Sequence, residues 1–158
     1  MLVSKLRFVY ICLMNNSLVL MSPAKINLLL SIGNRMPDGY HPIASIFQAV
    51  SVADKINISV NNDNTIRIAG NCGCPTEKNS MYHATRLFFE ASGNVCPGVD
   101  ITIEKNIPIG SGLGGGSSNA ATVLKALDAM FPGSSSDKHL HELAKAVGSD
   151  VPFFLGSP

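Results

Sequence analysis

A glycine-rich segment from Pro108 to Ser118 carries the strongest chemical signal in the sequence. It places five glycines among hydroxyl and amide side chains, in the run Pro-Ile-Gly-Ser-Gly-Leu-Gly-Gly-Gly-Ser-Ser-Asn. Glycine lets successive backbone N–H groups face a ligand without an obstructing Cβ, and the N-terminus of a following helix adds unpaired donors and about half a positive charge. The segment therefore predicts a site for a di- or triphosphate.

Three other interpretations of this segment are weaker. A P-loop needs a lysine where Gly116 stands. A Rossmann fingerprint is matched by Gly110, Gly112 and Gly115, but the acidic residue that should end a second strand is Asp128, on a predicted helix. A flexible linker of glycine and serine would not normally be flanked by a patterned strand and a capped helix.

Strands are predicted before this segment. Alternating apolar residues predict strands over 56–60, 65–69 and 99–103, and the turn residues 61–64 indicate that the first two form a hairpin. Apolar runs at 17–21, 26–32 and 43–50 predict further strands. Ser22-Pro23 indicates a bend between the first two runs, which places Lys25 between strands.

Helical periodicity predicts three helices, over about 80–92, 120–131 and 137–147. The first is capped by Asn79 or Ser80 and stops at Gly93, and the third is capped by Asp137 and ends at a left-handed Gly148. The apolar run 151–155 predicts one more strand without a partner, which suggests that a further domain or subunit continues from there.

Composition limits the classes of function. The chain has 158 residues, 46% of them hydrophobic, which suits one domain with its own core. The net charge is +1 and the basic residues are scattered, so no nucleic-acid partner is expected. The four cysteines match neither zinc spacing nor a disulfide framework and predict reduced thiols in a cytoplasmic protein. His139 and His141 point to different faces of a helix, so no metal site is predicted.

Residues 1–16 form an N-terminal extension of open status. Lys5 and Arg7 precede an apolar run at 8–14 in the manner of a signal peptide, but the run ends well short of the roughly 18 apolar residues of a membrane span. No membrane association is therefore expected. Translation from Met14 or Met21 is the alternative that we favour, with the folded domain covering 17–158.

Four motifs resemble those of the GHMP kinase family, and together they span residues 17–158. They are Ser22-Pro-Ala-Lys-Ile-Asn, Asp38-Gly-Tyr-His, Gly112-Leu-Gly-Gly-Gly-Ser-Ser-Asn-Ala-Ala and Gly148-Ser-Asp-Val-Pro-Phe-Phe. The likeness is narrowest to the branch that phosphorylates the 2-hydroxyl of the methylerythritol moiety in 4-diphosphocytidyl-2-C-methylerythritol. It implies ATP with Mg²⁺ as cofactor, a small-molecule acceptor and an α+β fold of two layers, like domain 2 of ribosomal protein S5, with helices on one face of a mixed sheet.

The resemblance also implies roles for individual residues. Asp150 is the expected catalytic base, and Lys25 orients it or steadies the charge on the transferring phosphoryl group. Asn27, Tyr40 and His41 are implied in binding the cytidine-linked substrate. The Ser117 and Ser118 hydroxyls are implied in binding phosphate or Mg²⁺, and no separate metal site is expected. The nucleotide is expected to contact Asn79, Lys105, Pro108, Ile109, Gly110, Ser111, Gly112, Leu113, Gly114, Gly115, Gly116, Ser117 and Ser118.

Two alternatives stay open. The family's second domain carries another glycine-containing motif that does not occur in this sequence, so the chain could be a truncated ATP-binding remnant without turnover. Another GHMP kinase, acting on homoserine or mevalonate, is the second alternative. The triple glycine, the Asp-Gly-Tyr-His turn and the Asp-Val-Pro-Phe-Phe run favour the cytidyl substrate.

Overall fold

The computed structural model describes residues 17–37, 39 and 41–156, so the N-terminal extension lies outside the described part. The elements follow in the order β1 Ser17–Ile32, β2 Ile43–Val60, β3 Ile66–Ala69, a 3₁₀ turn Thr76–Lys78, α1 Ser80–Ser92, β4 Val99–Glu104, α2 Gly115–Met130, α3 Asp137–Val147 and α4 Val151–Leu155. The strands form one mixed sheet in the order β1-β2-β4-β3, in which β3 and β4 are parallel.

The core lies between this sheet and the helices. Alternate strand residues are buried, while the opposite parity exposes residues such as Asn57 and Thr102. The buried strand residues are Leu18, Leu20, Ile56, Ile58, Val99, Ile101 and Ile103, and they share one cluster with Met81, Phe88, Val123, Leu124 and Leu127 of α1 and α2. The predicted α+β class, with helices on a mixed sheet, is confirmed.

β1 and β2 are each continuous. The bend predicted at Ser22-Pro23 is therefore wrong, and so is the prediction of two separate strands over 43–50 and 56–60. The register between them shifts between Pro23 and Lys25 and again between Asn27 and Leu29. Such irregularities let a strand continue past a proline, which cannot donate to the ladder. Lys25 therefore lies within β1, beside the first irregularity.

The predicted hairpin between 56–60 and 65–69 is also wrong. β4 lies between these segments, antiparallel to β2 and parallel to β3. The connecting turn forms as expected, with φ of 60° at Asn62 and Asn64. Asn61 Nδ2, however, donates to Asp100 Oδ1 of β4 at 2.8 Å. The turn thus joins strands on both sides of β4, whose apolar alternation suits this central position.

α1 matches its prediction, and the C-terminal region does not. Asn79 Oδ1 accepts from Met81 N at the start of α1, and Gly93 is left-handed at its end with φ of 69°. Ser136 rather than Asp137 caps α3, and Gly148 has an extended φ of 174° rather than a left-handed one.

The run predicted as a last strand is the short helix α4. Pro152 lies in its first turn, where its missing N–H costs no hydrogen bond. Val151 and Phe154 are buried against the core. A short apolar run cannot be assigned to strand or helix from periodicity alone.

None of the helices within the described residues is long or apolar enough to cross a membrane. Cys72, Cys74 and Cys96 carry free thiols.

Candidate active site

The glycine segment connects β4 to α2 and contains three left-handed glycines. Gly110, Gly112 and Gly114 have φ of 73°, 75° and 73°, a region that residues with a Cβ rarely adopt. Gly114 is the N-cap of α2, and the helix begins at Gly115. The unpaired N–H groups of the first turn of α2 therefore lie at the end of the loop, as an anion site requires.

A cavity of about 340 Å³ lies along this loop. Its wall contains every predicted residue from Pro108 to Ser117, together with Asn79 and Lys105. Ser118 is not part of the wall, because its buried hydroxyl accepts from Ser22 Oγ at 2.8 Å. The rest of the wall is formed by Cys72, Met81, Ile103 and Asn119.

Lys25 and Asp150, distant in sequence, lie close together. Lys25 Nζ is 3.5 Å from Asp150 Oδ2 and donates to Asn27 Oδ1 at 2.7 Å. The ammonium also lies 4.5 Å from the centroid of the Phe47 ring, a cation–π distance. The Lys25 side chain is 8% exposed and that of Asp150 33%, so the carboxylate is the more accessible partner.

Direct contacts join Lys25 to the glycine loop. Lys25 N donates to Leu113 O at 2.9 Å. A Cβ built on Gly114 would lie 3.0 Å from Lys25 Cγ and 3.1 Å from Phe154 Cζ. Position 114 therefore needs glycine both for its φ and for its space, and the lysine and the loop form one unit.

The connection from α3 to α4 places Asp150. Asp150 is the N-cap of α4 but makes no side-chain capping bond. Its Oδ2 pairs with Lys25, and its Oδ1 accepts from Ser149 Oγ at 3.5 Å. Lys125 Nζ donates to Phe154 O at 2.6 Å, and His141 Nε2 lies 2.9 Å from Gly156 O. These contacts anchor the far end of α4. Burial lowers the pKa of Lys125 below its ordinary value.

Lys105 and Asn79, two of the predicted nucleotide contacts, have structural partners as well. Lys105 lies in the cavity wall with its ammonium 2.5 Å from Asp54 Oδ2. Asn79 also lies in the wall, and its side-chain oxygen caps α1. Asn79 thus caps α1 and also lines the cavity.

The predicted substrate residues are spread along the β1–β2 hairpin. Asn27 adjoins Lys25, and its Nδ2 donates to Ser45 Oγ at 2.7 Å. His41 Nδ1 lies 3.0 Å from Gly33 O near the turn of the hairpin, and His41 is not part of the cavity wall. Tyr40 lies outside the described residues. The structure thus brings Asn27, but not His41, to the Lys25–Asp150 pair.

Sequence reasoning missed several residues at this site. Cys72 lies in the cavity wall, and no sequence signal marks it as a wall residue. Burial raises the pKa of its thiol, which therefore stays protonated at neutral pH. Asp54 could have been found, because it shares strand parity with the buried Ile56 and Ile58 and is the only charged residue at that parity in β2.

No group of three or more His, Cys, Asp or Glu side chains that could hold a metal ion occurs in the part of the chain described by the structure.

A family model described as the N-terminal domain of GHMP kinases matches residues 79–157. The chain belongs to the GHMP kinase family. The matched residues include the glycine loop and Asp150, and the family resemblance inferred from the sequence is confirmed.

Named GHMP kinases are similar over most of this chain. The 4-diphosphocytidyl-2-C-methyl-D-erythritol kinase of Persephonella marina is 47% identical over 137 residues, which are 87% of this chain and 50% of that protein. The enzyme of the same name from Chlamydia muridarum is 44% identical over 136 residues, 86% of this chain and 48% of the relative. The chain spans about half the length of these curated relatives.

Solved GHMP kinase structures match the fold. A crystal structure of 4-(cytidine 5'-diphospho)-2C-methyl-D-erythritol kinase superposes with a TM-score of 0.75 at 42% identity, covering 87% of this chain and 48% of the other. Homoserine kinase from Cytophaga hutchinsonii gives a TM-score of 0.60 at 20% identity over 88% of this chain and 43% of the other. The second likeness shows the fold alone.

Proposed function

We propose that this chain is the ATP-binding half of a cytoplasmic kinase that transfers the γ-phosphoryl group of ATP to the 2-hydroxyl of 4-diphosphocytidyl-2-C-methyl-D-erythritol, in the synthesis of isoprenoid precursors. The observation that carries the proposal is the contact at Gly114, where the glycine loop touches the Lys25 side chain that pairs with Asp150. A phosphate loop alone would fit many nucleotide-binding proteins. A carboxylate and an ammonium beside it fit phosphoryl transfer to an alcohol. The names of the relatives support the choice of acceptor.

ATP fits the cavity with its triphosphate along the loop and its base against the apolar wall. The loop and the first turn of α2 supply backbone N–H groups for the phosphate oxygens, and Ser117 adds a hydroxyl. Met81 and Ile103 offer apolar surface in the same cavity wall.

Mg²⁺ accompanies ATP in this proposal. It typically binds through one or two carboxylates together with substrate phosphates, so the absence of a larger cluster among the described side chains is compatible with it. In the cavity wall, the Ser117 hydroxyl would suit it. The ion would neutralise charge on the phosphate oxygens.

Asp150 takes the proton of the acceptor hydroxyl. The hydroxyl oxygen forms a bond to the γ-phosphorus while the bond from that phosphorus to the β–γ bridging oxygen breaks, and ADP leaves. Lys25, held by Asn27 and Phe47, orients Asp150 and stabilises the charge on the transferring group. Positioning and charge neutralisation are the main requirements of such a reaction.

The acceptor lies along the β1–β2 hairpin in this proposal. Asn27 contacts the methylerythritol end, next to the reacting groups. Tyr40 and His41 contact the cytidine. Gly33 lies six residue steps along the chain from Asn27, which is roughly 20 Å at about 3.3 Å per step in a strand. An extended, nucleotide-linked substrate can reach both ends.

A chain that binds ATP without transferring its phosphoryl group is the second candidate. Both candidates predict that ATP binds in the cavity, but only the first predicts transfer of its phosphoryl group.

Two measurements on the chain test the proposal. Calorimetry measures binding of AMP-PNP, a non-hydrolysable ATP analogue, and a coupled assay measures ADP release with the cytidyl acceptor, mevalonate or homoserine. ADP release with the cytidyl acceptor alone supports the proposal. ADP release with mevalonate or homoserine instead would show that the acceptor is wrong. AMP-PNP binding without ADP release would support the second candidate, and a lack of AMP-PNP binding would reject both candidates.

Asp150→Asn tests the proposed base. We expect its AMP-PNP affinity to stay near that of the wild type, while turnover falls about 10²–10⁴-fold, the usual contribution of a general base. Asp137→Asn is the matched control, because Asp137 is an exposed carboxylate in the first turn of α3. Unchanged turnover in Asp150→Asn would discard Asp150 as the base.

A further inference from the structure

Asp54 is a wholly buried carboxylate on β2 that the proposed reaction does not use. Its Oδ2 lies 2.5 Å from Lys105 Nζ, and its Oδ1 accepts from Asn106 N and Ile107 N, both at 2.8 Å. A buried carboxylate is costly unless it is both paired and hydrogen-bonded. All of these partners come from one stretch of chain, residues 105–107.

That stretch comes directly before the glycine loop and supports the start of α2. Ile107 is 1% exposed. A Cβ built on Gly115 would lie 3.0 Å from Ile107 Cγ2 and 3.2 Å from Lys105 Nζ. Gly115, the first residue of α2, therefore packs against the side chains of Lys105 and Ile107. Asp54 binds the ammonium of Lys105 and the backbone N–H of Ile107.

We infer that Asp54 is a positioning residue for nucleotide binding. Its Oδ1 fixes the backbone before the loop, its Oδ2 fixes the Lys105 ammonium in the cavity wall, and both contacts act on the N-terminus of α2 through Gly115. This inference rests on the proposed function, in which the cavity takes ATP. A loop that is ordered before binding loses less conformational entropy when the ligand arrives.

Paired variants avoid an unpaired buried charge, which would destabilise the fold by itself. Asp54→Asn/Lys105→Met removes the ion pair and keeps an amide oxygen where Oδ1 lies. Asp54→Val/Lys105→Met removes that oxygen as well, with a β-branched side chain that suits a strand. The two variants differ in the acceptor for the N–H groups of Asn106 and Ile107.

Val99→Ala is the control for lost stability. Val99 is wholly buried on β4, at the opposite end of the strand from the loop. Its truncation lowers stability through a core cavity without touching Asp54.

The test measures AMP-PNP affinity by calorimetry and amide hydrogen exchange by NMR, at a temperature where circular dichroism shows each variant folded. We expect the valine variant to bind AMP-PNP at least tenfold more weakly than the asparagine variant, with faster exchange at Ile107 and Gly115, while Val99→Ala binds like the wild type. Equal affinity in the two paired variants, or equal exchange at these amides, would overturn the inference.

Hydrogen exchange separates this inference from the proposed function. If the wild type binds no AMP-PNP, the proposed function fails, and the exchange rates at Ile107 and Gly115 alone decide whether Asp54 positions the loop. If the valine variant does not fold, Asp54→Ala/Lys105→Met replaces it with the same expected and contradicting results.

Discussion

Gly114→Ala tests the claim that the glycine loop and Lys25 form one unit. Two costs follow from the structure. The φ of 73° at Gly114 is left-handed, which costs a residue with a Cβ about 1–2 kcal/mol. The new Cβ would also lie 3.0 Å from Lys25 Cγ and 3.1 Å from Phe154 Cζ, closer than ordinary contact, and such overpacking costs about 1–3 kcal/mol.

The expected loss in the free energy of unfolding is therefore about 2–5 kcal/mol. Gly93→Ala is the matched control, because Gly93 has a φ of 69° and no atom within 4 Å of its built Cβ. It should lose only the conformational part, about 1–2 kcal/mol. Urea unfolding followed by circular dichroism measures both losses, and an unchanged m-value makes them comparable.

The difference between the two variants isolates the contact with Lys25 and Phe154. Gly114→Ala should also weaken AMP-PNP binding, since relief of the contact moves the loop or the lysine. If Gly114→Ala and Gly93→Ala lose the same stability, the close approach of loop and lysine is refuted.

Two further predictions concern groups around the site. AMP-PNP should slow the alkylation of Cys72, which lies in the cavity wall, and should not slow that of the exposed Cys74. Peptide mass spectrometry measures both alkylation rates. Equal protection of the two thiols would contradict the placement of the nucleotide. Burial lowers the pKa of Lys125 in the folded chain below its ordinary value of 10.5. At a pH between the folded and the unfolded pKa, the unfolded chain binds more protons than the folded chain, so stability rises with pH. Unfolding of wild type and Lys125→Met should therefore show a stability difference that shifts in favour of the wild type as pH rises from neutral toward 10.5, and a pH-independent difference would contradict the buried state of Lys125.

Local signals in the sequence predicted much of the site. The glycine spacing, the cap at Asn79 and the left-handed Gly93 depend on a few neighbouring residues and can be inferred without tertiary structure. The family resemblance, rather than spacing, pointed to Lys25 and Asp150. The structure places their charged groups 3.5 Å apart.

Tertiary context decided the features that sequence reasoning missed. Residues 56–60 and 65–69 alternate as a hairpin would, but β4 has the same alternation and enters between them. Residues 151–155 have the composition of a strand, yet Asp150 and Pro152 start a helix that packs on the core. Asp54 is buried because partners distant in sequence satisfy it, and no local pattern shows those partners.

A titration of the isotope-labelled chain with AMP-PNP, followed by NMR, tests the central claim most directly. We expect the amide resonances from Gly110 to Ser117 to shift on binding, while those of the β2–β3 turn at Asn62 and Asn64 stay in place. Binding that shifts the turn and leaves the loop unchanged, or no binding at all, would contradict a phosphate site at the start of α2.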